Sequence, residues 1–209
     1  MAYHHGHLKE ALLERAAQVI AERGIEALSL RALARDLGVS HAAPAAHFRD
    51  RRALLCALAK EGFRRSVEAM HAGAEAAGPD PVRRYRALGR SYVQFARDNP
   101  SYFRAIHHPE VQAHADDELR EARAEWVATL RDGVEAARAS GWHPEVETET
   151  LLAFSCAAAM GTAQLLSDSG WAFDVPDVDA LADSVLDLVV HRSRTTALPA
   201  APTDERKVS

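Results

Sequence analysis

The chain has 209 residues, of which 47% are hydrophobic and 26% are charged, and its net charge is −5. This length allows one domain or a small domain joined to a larger one, with enough apolar residues for a buried core. The negative net charge argues against a protein that binds nucleic acid through an overall excess of basic residues. The sequence has no apolar run long enough to span a bilayer and no N-terminal signal segment, so we expect a cytoplasmic protein with no membrane contact.

The first predicted elements are three N-terminal helices. Apolar residues recur at helical spacing from Leu8 to Ile20, with Gly24 as a stop signal. Residues 29–55 then predict a short helix, a tight turn and a second short helix. Ser29 is placed to cap the first helix of this pair, Gly38 ends it, and Ser40 is the cap signal for the second. Such a pair is the geometry that places a helix in the DNA major groove.

The remaining residues predict a larger helical body. The pattern favours helices from Asp50 to about residue 77, from Pro81 to residue 99, through residues 102–106, over about 116–138 and 144–167, and after Asp177. We therefore predict an all-α fold with a helix-turn-helix DNA-binding domain at residues 1–52 and a ligand-binding and dimerisation domain at residues 53–194. The last residues, 195–209, are predicted to be a disordered tail.

Charges and cysteines fit this division. Residues 1–52 contain eight Lys/Arg and six Asp/Glu, a net charge of +2, which leaves −7 for the rest of the chain. A small basic unit on an acidic body is expected of a DNA reader with a separate module. Cys56 and Cys156 each lie within an apolar helical pattern, which favours buried free thiols over a disulfide or a nucleophile.

Several short motifs occur together in the N-terminal part. They are Leu30-Arg31-Ala32-Leu33-Ala34, Gly38-Val39-Ser40, His47-Phe48 and Arg51 before Leu54-Leu55. With these motifs the chain resembles the TetR family of bacterial transcriptional regulators. Residues 3–8, 40–44 and 95–104 are similar to the branch with a WHG-type C-terminal domain, although the tryptophan, histidine and glycine that name this domain are not intact.

The resemblance implies a homodimer that binds double-stranded operator DNA, in most cases a repressor released by a small-molecule effector. Two positions depart from the family pattern. Ala45 stands where a phosphate-contacting tyrosine usually precedes the His-Phe pair, and Arg51 stands where lysine is usual. The first change removes a phosphate anchor, whereas the second keeps the charge and adds donors.

Eight residues are candidates for DNA contact. They are Ser29, Arg31, Ser40, His41, Ala42, Ala43, His47 and Arg51. The residues from His41 to Ala43 open the recognition helix, where side chains meet base edges, although small residues there also allow close helix packing. The other five are predicted phosphate contacts. For the two serines the alternative role is capping, and for Arg31 and Arg51 it is a solvated or ion-paired surface charge.

The body helices carry a predicted ligand pocket and a predicted dimer interface. The pocket candidates are Tyr92, Phe95, Phe103, His107, Trp126, Phe154 and Met160, each of which has ordinary core packing as its alternative. The last helix has two adjacent apolar stripes where a surface helix needs one. We expect the stripe of Leu181, Val185 and Leu188 to form a dimer interface together with the preceding helix.

Histidine clusters at His4, His5 and His7, and at His107, His108 and His114 with Asp116, contain metal-ligand residue types. A DNA-flanking arm and a surface loop are the favoured interpretations. No catalytic motif is present, so we expect no enzyme activity, no bound metal and no cofactor.

A competing hypothesis is a helical small-molecule or metal-binding module, or an enzyme, with a vestigial DNA-binding head. Ala45 and the acidic body support it.

Overall fold

The computed structural model describes residues 7–167 and 177–190, and this part of the chain is all-helical, as predicted. The helices are α1 (Leu8–Arg23), α2 (Leu30–Asp36), α3 (Arg51–Ala76), α4 (Pro81–Asp98), α5 (Pro100–His107), α6 (Pro109–Ala113), α7 (Asp117–Ala139), α8 (Thr148–Ser167) and α9 (Val178–Val190). Two 3₁₀ turns occupy Ile25–Ala27 and Ala43–Ala46. The predicted tail at residues 195–209, and His4 and His5, lie outside the described residues.

The long helix α3 organises the core. It packs against α1, α4, α5, α6 and α7, and α4 in turn contacts α8 and α9. We call α1, α2 and the two 3₁₀ turns the head, and α3 to α9 the body. The confirmed architecture is therefore an N-terminal helix-turn-helix unit on a larger helical domain. One hydrophobic core runs through both parts, from Leu12 in α1 to Leu186 in α9.

Aspartate caps fix the starts of four helices where the sequence predicted them. The carboxylates of Asp50, Asp80, Asp116 and Asp177 accept hydrogen bonds of 2.7–2.9 Å from the backbone N–H three residues further on. Each satisfies a donor that has no partner inside its own helix. Ser29 has the extended backbone of a cap residue, but within the described residues its hydroxyl makes no cap hydrogen bond.

Two elements differ from the sequence prediction. The segment after Gly38 forms a short 3₁₀ turn and not an α-helix, because only a few residues separate it from the extended Asp50, which caps α3. Pro109 keeps the preceding residue, His108, in an extended conformation (φ −68°, ψ 130°) and so opens the additional helix α6.

The start of α8 also differs from the prediction. It lies at Thr148 and not near Pro144, because residues 141–147 form turns in which His143 has a positive φ of 43°. Arg138 holds this connection by donating to the Thr148 hydroxyl at 2.8 Å and to the Pro144 carbonyl at 3.1 Å. Four residues that matched a helical pattern are thereby used to turn the chain.

The outer faces of α8 and α9 are apolar. Contrary to the sequence expectation, α8 is long and apolar enough over Thr148–Leu166 to cross a membrane, although 28% of this span is buried in the protein. Its exposed face includes Phe154, which is 58% exposed. On α9, one apolar stripe faces the core, whereas Leu188 on the other stripe is 76% exposed. Two neighbouring helices thus present large apolar side chains to the outside.

Helices α4 and α7 approach closely at Gly133. A Cβ atom built there would lie 2.6 Å from Leu88 Cδ1 and 3.0 Å from Tyr85 Cδ2. We expect Gly133→Ala to lower the free energy of unfolding by about 1–3 kcal/mol, because the overlap outweighs the gain in helix propensity. Urea denaturation followed by circular dichroism measures this. Asp132→Ala, at the exposed neighbouring position, is the control and should change stability by less than about 0.5 kcal/mol. A stabilised Gly133→Ala variant would contradict the close approach.

Candidate nucleic-acid interface and body cavity

The head presents its recognition segment, residues 40–49, to the outside. Pro44 and Phe48 are buried and anchor the segment to the head. Backbone hydrogen bonds from Gly38 and Val39 to the end of α2 close the preceding turn at 3.0–3.1 Å. The exposed residues of the segment are Ser40, His41, Ala42, Ala45, Ala46, His47 and Arg49. Ala43, a predicted base contact, is half-buried.

The head also exposes cationic side chains on α2 and at the end of the recognition segment. Arg31 is exposed, and the side chains of Arg35 and Arg49 are 74% and 79% exposed. The distances from Arg35 to Asp36 and from Arg49 to Asp50 are 3.9 and 3.6 Å, too long for strong hydrogen bonds. These guanidinium groups are therefore free to approach phosphate.

Arg51 is held between head and body. Its Nη1 donates to Glu110 Oε2 of α6 at 2.9 Å, and its Nη2 donates to the carbonyl of Ile25 at 3.0 Å and to Glu26 Oε2 at 3.3 Å. The side chain is only 30% exposed. Because a phosphate would have to compete with two carboxylates, this placement favours the ion-paired alternative for Arg51 over the predicted phosphate contact.

Helix α5 ties the body to α1. The Ser101 hydroxyl donates to the Ala17 carbonyl at 2.6 Å, and Arg104 donates to the Ile20 carbonyl at 3.3 Å. His108 Nε2 lies 3.6 Å from Glu26 Oε1. The segment α5–α6 thus connects the head to the body in addition to α3.

Within the described residues, no group of three or more His, Cys, Asp or Glu side chains could hold a metal ion. The predicted cluster around His107 is divided: the half-buried His107 ring packs on Phe103, at 4.6 Å between ring centroids, whereas His114 bonds to the Glu110 carbonyl. His107 consequently belongs to the interior, and His114 to the surface connection.

A small cavity lies between α4, α7, α8 and α9. It is lined by Tyr85, Arg86, Gly89, Tyr92, Trp126, Leu130, Ser155, Cys156, Ala159, Met160, Leu186 and Val189. Its volume is about 30 Å³, close to that of one water molecule and far below that of a ligand pocket. The cavity is therefore closed here, and a ligand can enter only if the wall moves.

The predicted pocket residues divide into three groups. Tyr92, Trp126 and Met160 line the cavity. Phe95, Phe103 and His107 are not part of its lining; His107 bonds through Nε2 to Tyr92 Oη at 2.9 Å, with Phe103 packed on both rings. For Phe154 the pocket prediction is wrong. Neighbouring side chains such as Ser155 and Met160 occupy the inward face of α8, so Phe154 points outward.

Sequence reasoning missed Tyr85, Ser155 and Cys156 as cavity residues. Tyr85 lies two helical turns before Tyr92 on the same face of α4, which was the available signal. Its ring is 5.3 Å from that of Trp142 between centroids. Sequence alone also missed Glu26 and Glu110 as the partners of Arg51, since nothing local brings them together.

Apart from Arg86, which is ion-paired, the titratable groups at the cavity are uncharged near pH 7. Burial raises the pKa of the Tyr85 hydroxyl, against a smaller opposing effect of the neighbouring Ser155, and it also raises the pKa of Tyr92 and of the Cys156 thiol. Burial lowers the pKa of His107, so its imidazole is uncharged.

A second, larger cleft of about 620 Å³ opens at the surface between α1, α3, α5 and α7. Its lining is strongly ionic: Glu61 accepts hydrogen bonds from Arg64 and Arg65, and the Arg65 guanidinium lies 4.4 Å from the centroid of the Tyr102 ring. These side chains are paired with one another, and the cleft lacks the apolar enclosure that small-molecule sites usually have.

An exposed recognition segment on a helical body defines the class of helix-turn-helix DNA-binding proteins with a separate helical domain. The comparisons with known families agree. Residues 12–58 match the description "Bacterial regulatory proteins, tetR family", and residues 85–189 match "Tetracyclin repressor-like, C-terminal domain". The chain belongs to the TetR family of transcriptional regulators.

Solved structures extend the comparison to nearly the whole chain. A protein with unknown function from Rhodococcus sp. RHA1 is 34% identical, with a TM-score of 0.78 and coverage of 90% of this chain and 96% of that chain. PfmR from Thermus thermophilus shares the fold at 22% identity, with a TM-score of 0.66 and coverage of 86% and 96%. AibR, solved with isovaleryl coenzyme A and operator DNA, shares it at 19% identity, with a TM-score of 0.68 and coverage of 87% and 97%. No curated protein sequence matches the chain.

The half-buried His107 predicts a pH-dependent stability. Its pKa in the folded protein is lowered from the ordinary value of 6.5. Below that value the unfolded chain takes up a proton that folded His107 resists, so this residue's contribution to stability decreases as the pH falls. We expect His107→Gln to lose less stability than the wild type between about pH 7.5 and about pH 5. Urea titrations at both pH values measure this, and equal losses in the two proteins would contradict it.

Proposed function

We propose that the protein is a homodimeric transcriptional regulator, a repressor that a small-molecule effector releases from its operator in the cytoplasm. The observation that carries this proposal is the exposed recognition segment on a head that also exposes arginine side chains and is bonded to the body. The structure of AibR with isovaleryl coenzyme A and operator DNA supports it, because a relative of the same fold binds both kinds of partner.

The residues at 1–52 would form the DNA-binding domain. We assign base contacts to His41 and Ala42, with Ala43 behind them, because the start of a recognition helix meets base edges. The proposed phosphate contacts are Ser29, Arg31, Ser40 and His47. Arg35 and Arg49 are further exposed cationic side chains of the head that could approach phosphate.

The residues at 53–194 would form the effector and dimerisation domain. Leu181, Val185 and Leu188 on α9, together with Phe154 on α8, present an apolar surface outside the protomer core. Pairing this surface with its copy in a second protomer would form a four-helix interface and bury these side chains. Two heads related by a twofold axis would then meet half-sites roughly 34–36 Å apart.

A continuous set of contacts supports release by an effector. The cavity residue Tyr92 is bonded to His107 at the end of α5, and α6 follows directly with Glu110, which holds Arg51. An effector that enlarges the cavity would displace α5 and α6 and so change the position of the head. Such a ligand favours the released state only by binding it more tightly than the DNA-bound state.

As part of this proposal, we assign the body to the WHG-type C-terminal domain within the family. Its support is the similarity of residues 3–8, 40–44 and 95–104 to that branch. The family description that matches the body is the tetracyclin repressor-like one, over residues 85–189.

DNA binding can be tested by fluorescence anisotropy with the fragment upstream of the protein's own gene. We expect Arg31→Ala to weaken binding to every sequence and to reduce the salt slope by about one, as loss of one phosphate contact does. His41→Ala should change the preferred base at one position, at a cost of about 1–3 kcal/mol. Arg83→Ala, which alters a similarly exposed arginine of the body, is the control. Absence of salt-dependent binding by the wild type would favour a ligand-binding module with a vestigial head.

Dimerisation can be tested at Leu188, whose side chain is 76% exposed in the protomer. Leu188→Asp should leave the protomer folded but destabilise the dimer by roughly 3–5 kcal/mol, because it buries an unpaired charge in the interface. We expect a monomer in size-exclusion chromatography with unchanged helical circular dichroism and lost operator binding. Ala72→Asp, at an exposed position of α3, should remain dimeric. A wild type that is itself monomeric would contradict the proposed interface.

A further inference from the structure

We propose that the effector is an uncharged, mainly apolar molecule with one hydrogen-bond acceptor, such as a ketone or ester carbonyl, and that the Tyr85 hydroxyl donates to this acceptor. The inference deepens the proposed function and rests on it, since it names the ligand class of the cavity between α4, α7, α8 and α9. It assigns to Tyr85 the role of the residue that determines specificity.

Tyr85 is the polar group that the cavity leaves unused. Its side chain is only 4% exposed, and its hydroxyl has no hydrogen-bond partner among the described residues. The nearby Ser155 hydroxyl, whose weak hydrogen-bonding influence opposes the rise in the pKa of Tyr85, donates its proton to the Leu151 carbonyl at 2.8 Å and makes no hydrogen bond of good geometry with Tyr85. A buried hydroxyl without a partner is costly, so an acceptor placed in the cavity gains a hydrogen bond at a site that is already desolvated.

The Tyr85 ring is fixed in its direction. It packs on Trp142, whose indole Nε1 donates to the Val190 carbonyl at 2.9 Å, and Gly133 of α7 lies against its other edge. The phenol therefore cannot turn to solvent without disturbing two helices. This rigidity makes Tyr85 a directional donor.

Apart from the Cys156 thiol, which is a weak donor, the other polar side chains of the described wall are already engaged. Tyr92 is bonded to His107 at 2.9 Å. Arg86 is the charged residue among the described lining, and it is paired with Asp183 and Asp187 of α9. An anionic ligand would lose its hydration without meeting an available cation, and the neutral tyrosines and thiol offer a cationic ligand no charge partner. The wall therefore selects against both charges.

The remaining wall is apolar and contains the parts that can yield. Met160 is half-buried and has a flexible thioether side chain that adapts to a ligand. Leu186 of α9 meets α4 at Gly89, where a Cβ atom would lie 2.9 Å from Leu186 Cδ2. Movement of these two side chains enlarges the cavity of about 30 Å³ while Tyr85 stays in place.

The test uses isothermal titration calorimetry of the full chain with four probes. Acetophenone and 2-octanone are neutral and carry one carbonyl, ethylbenzene matches acetophenone without the acceptor, and benzoate matches it with a negative charge. We expect both ketones to bind. Ethylbenzene should bind roughly two- to tenfold more weakly than acetophenone, and benzoate should bind at least about 100-fold more weakly than acetophenone.

Tyr85→Phe identifies the donor. The substitution should lower the affinity for acetophenone to that for ethylbenzene and leave the affinity for ethylbenzene unchanged. It should not lower the thermal stability, because the hydroxyl has no partner in the free protein. Tyr102→Phe, which removes the hydroxyl of another mostly buried tyrosine, beside the other cleft, is the matched control and should leave the affinities for all four probes unchanged.

The proposal is overturned if neither ketone binds, if benzoate binds as tightly as acetophenone, or if Tyr85→Phe weakens acetophenone and ethylbenzene equally. Operator binding is measured separately by anisotropy. Intact operator binding without ketone binding would overturn the ligand class alone. Ketone binding that depends on Tyr85, without any DNA binding, would support the ligand class and contradict the regulator function.

Discussion

The arrangement of this protein depends on the contacts of Arg51 at the first turn of α3. One guanidinium bonds to the 3₁₀ turn of the head through Ile25 and Glu26 and to α6 of the body through Glu110. Because α3 continues for 26 residues into the centre of the body, the head is attached to the same rigid element that forms the core. A displacement of α6 would therefore act on the base of the head through Arg51.

Local features were predictable from the sequence, and contacts between distant segments were not. The aspartate caps and the left-handed Gly38, with φ 68°, depend on a few neighbouring residues and lie where the pattern indicated. Glu110 is 59 residues from Arg51, so no spacing rule identifies it as a partner. Phe154 was misplaced because α8 is apolar on nearly every side and its periodicity does not show which face is buried. The 3₁₀ turn at Pro44 depends on how soon the next cap must follow.

The cavity shows why residue type alone identifies a site poorly. The sequence indicated aromatic residues of the body helices as candidates for an apolar cavity, and two of them, Phe95 and Phe103, are buried outside its lining. The residue that best distinguishes ligands in our proposal is Tyr85, and its importance comes from a hydroxyl without a partner. Only the three-dimensional arrangement can show that a hydrogen bond is missing.

The exposed apolar faces of α8 and α9 have a consequence for the amount of protein in the cell. In the proposed dimer, each protomer covers Phe154 and Leu188 of the other, so the folded state gains stability from assembly. Newly made chains at low abundance would expose these side chains and would be favoured targets for chaperones and proteases. The concentration of folded dimer would then rise more steeply than the rate of synthesis. The concentration at which the regulated genes respond would depend on protein turnover as well as on DNA affinity.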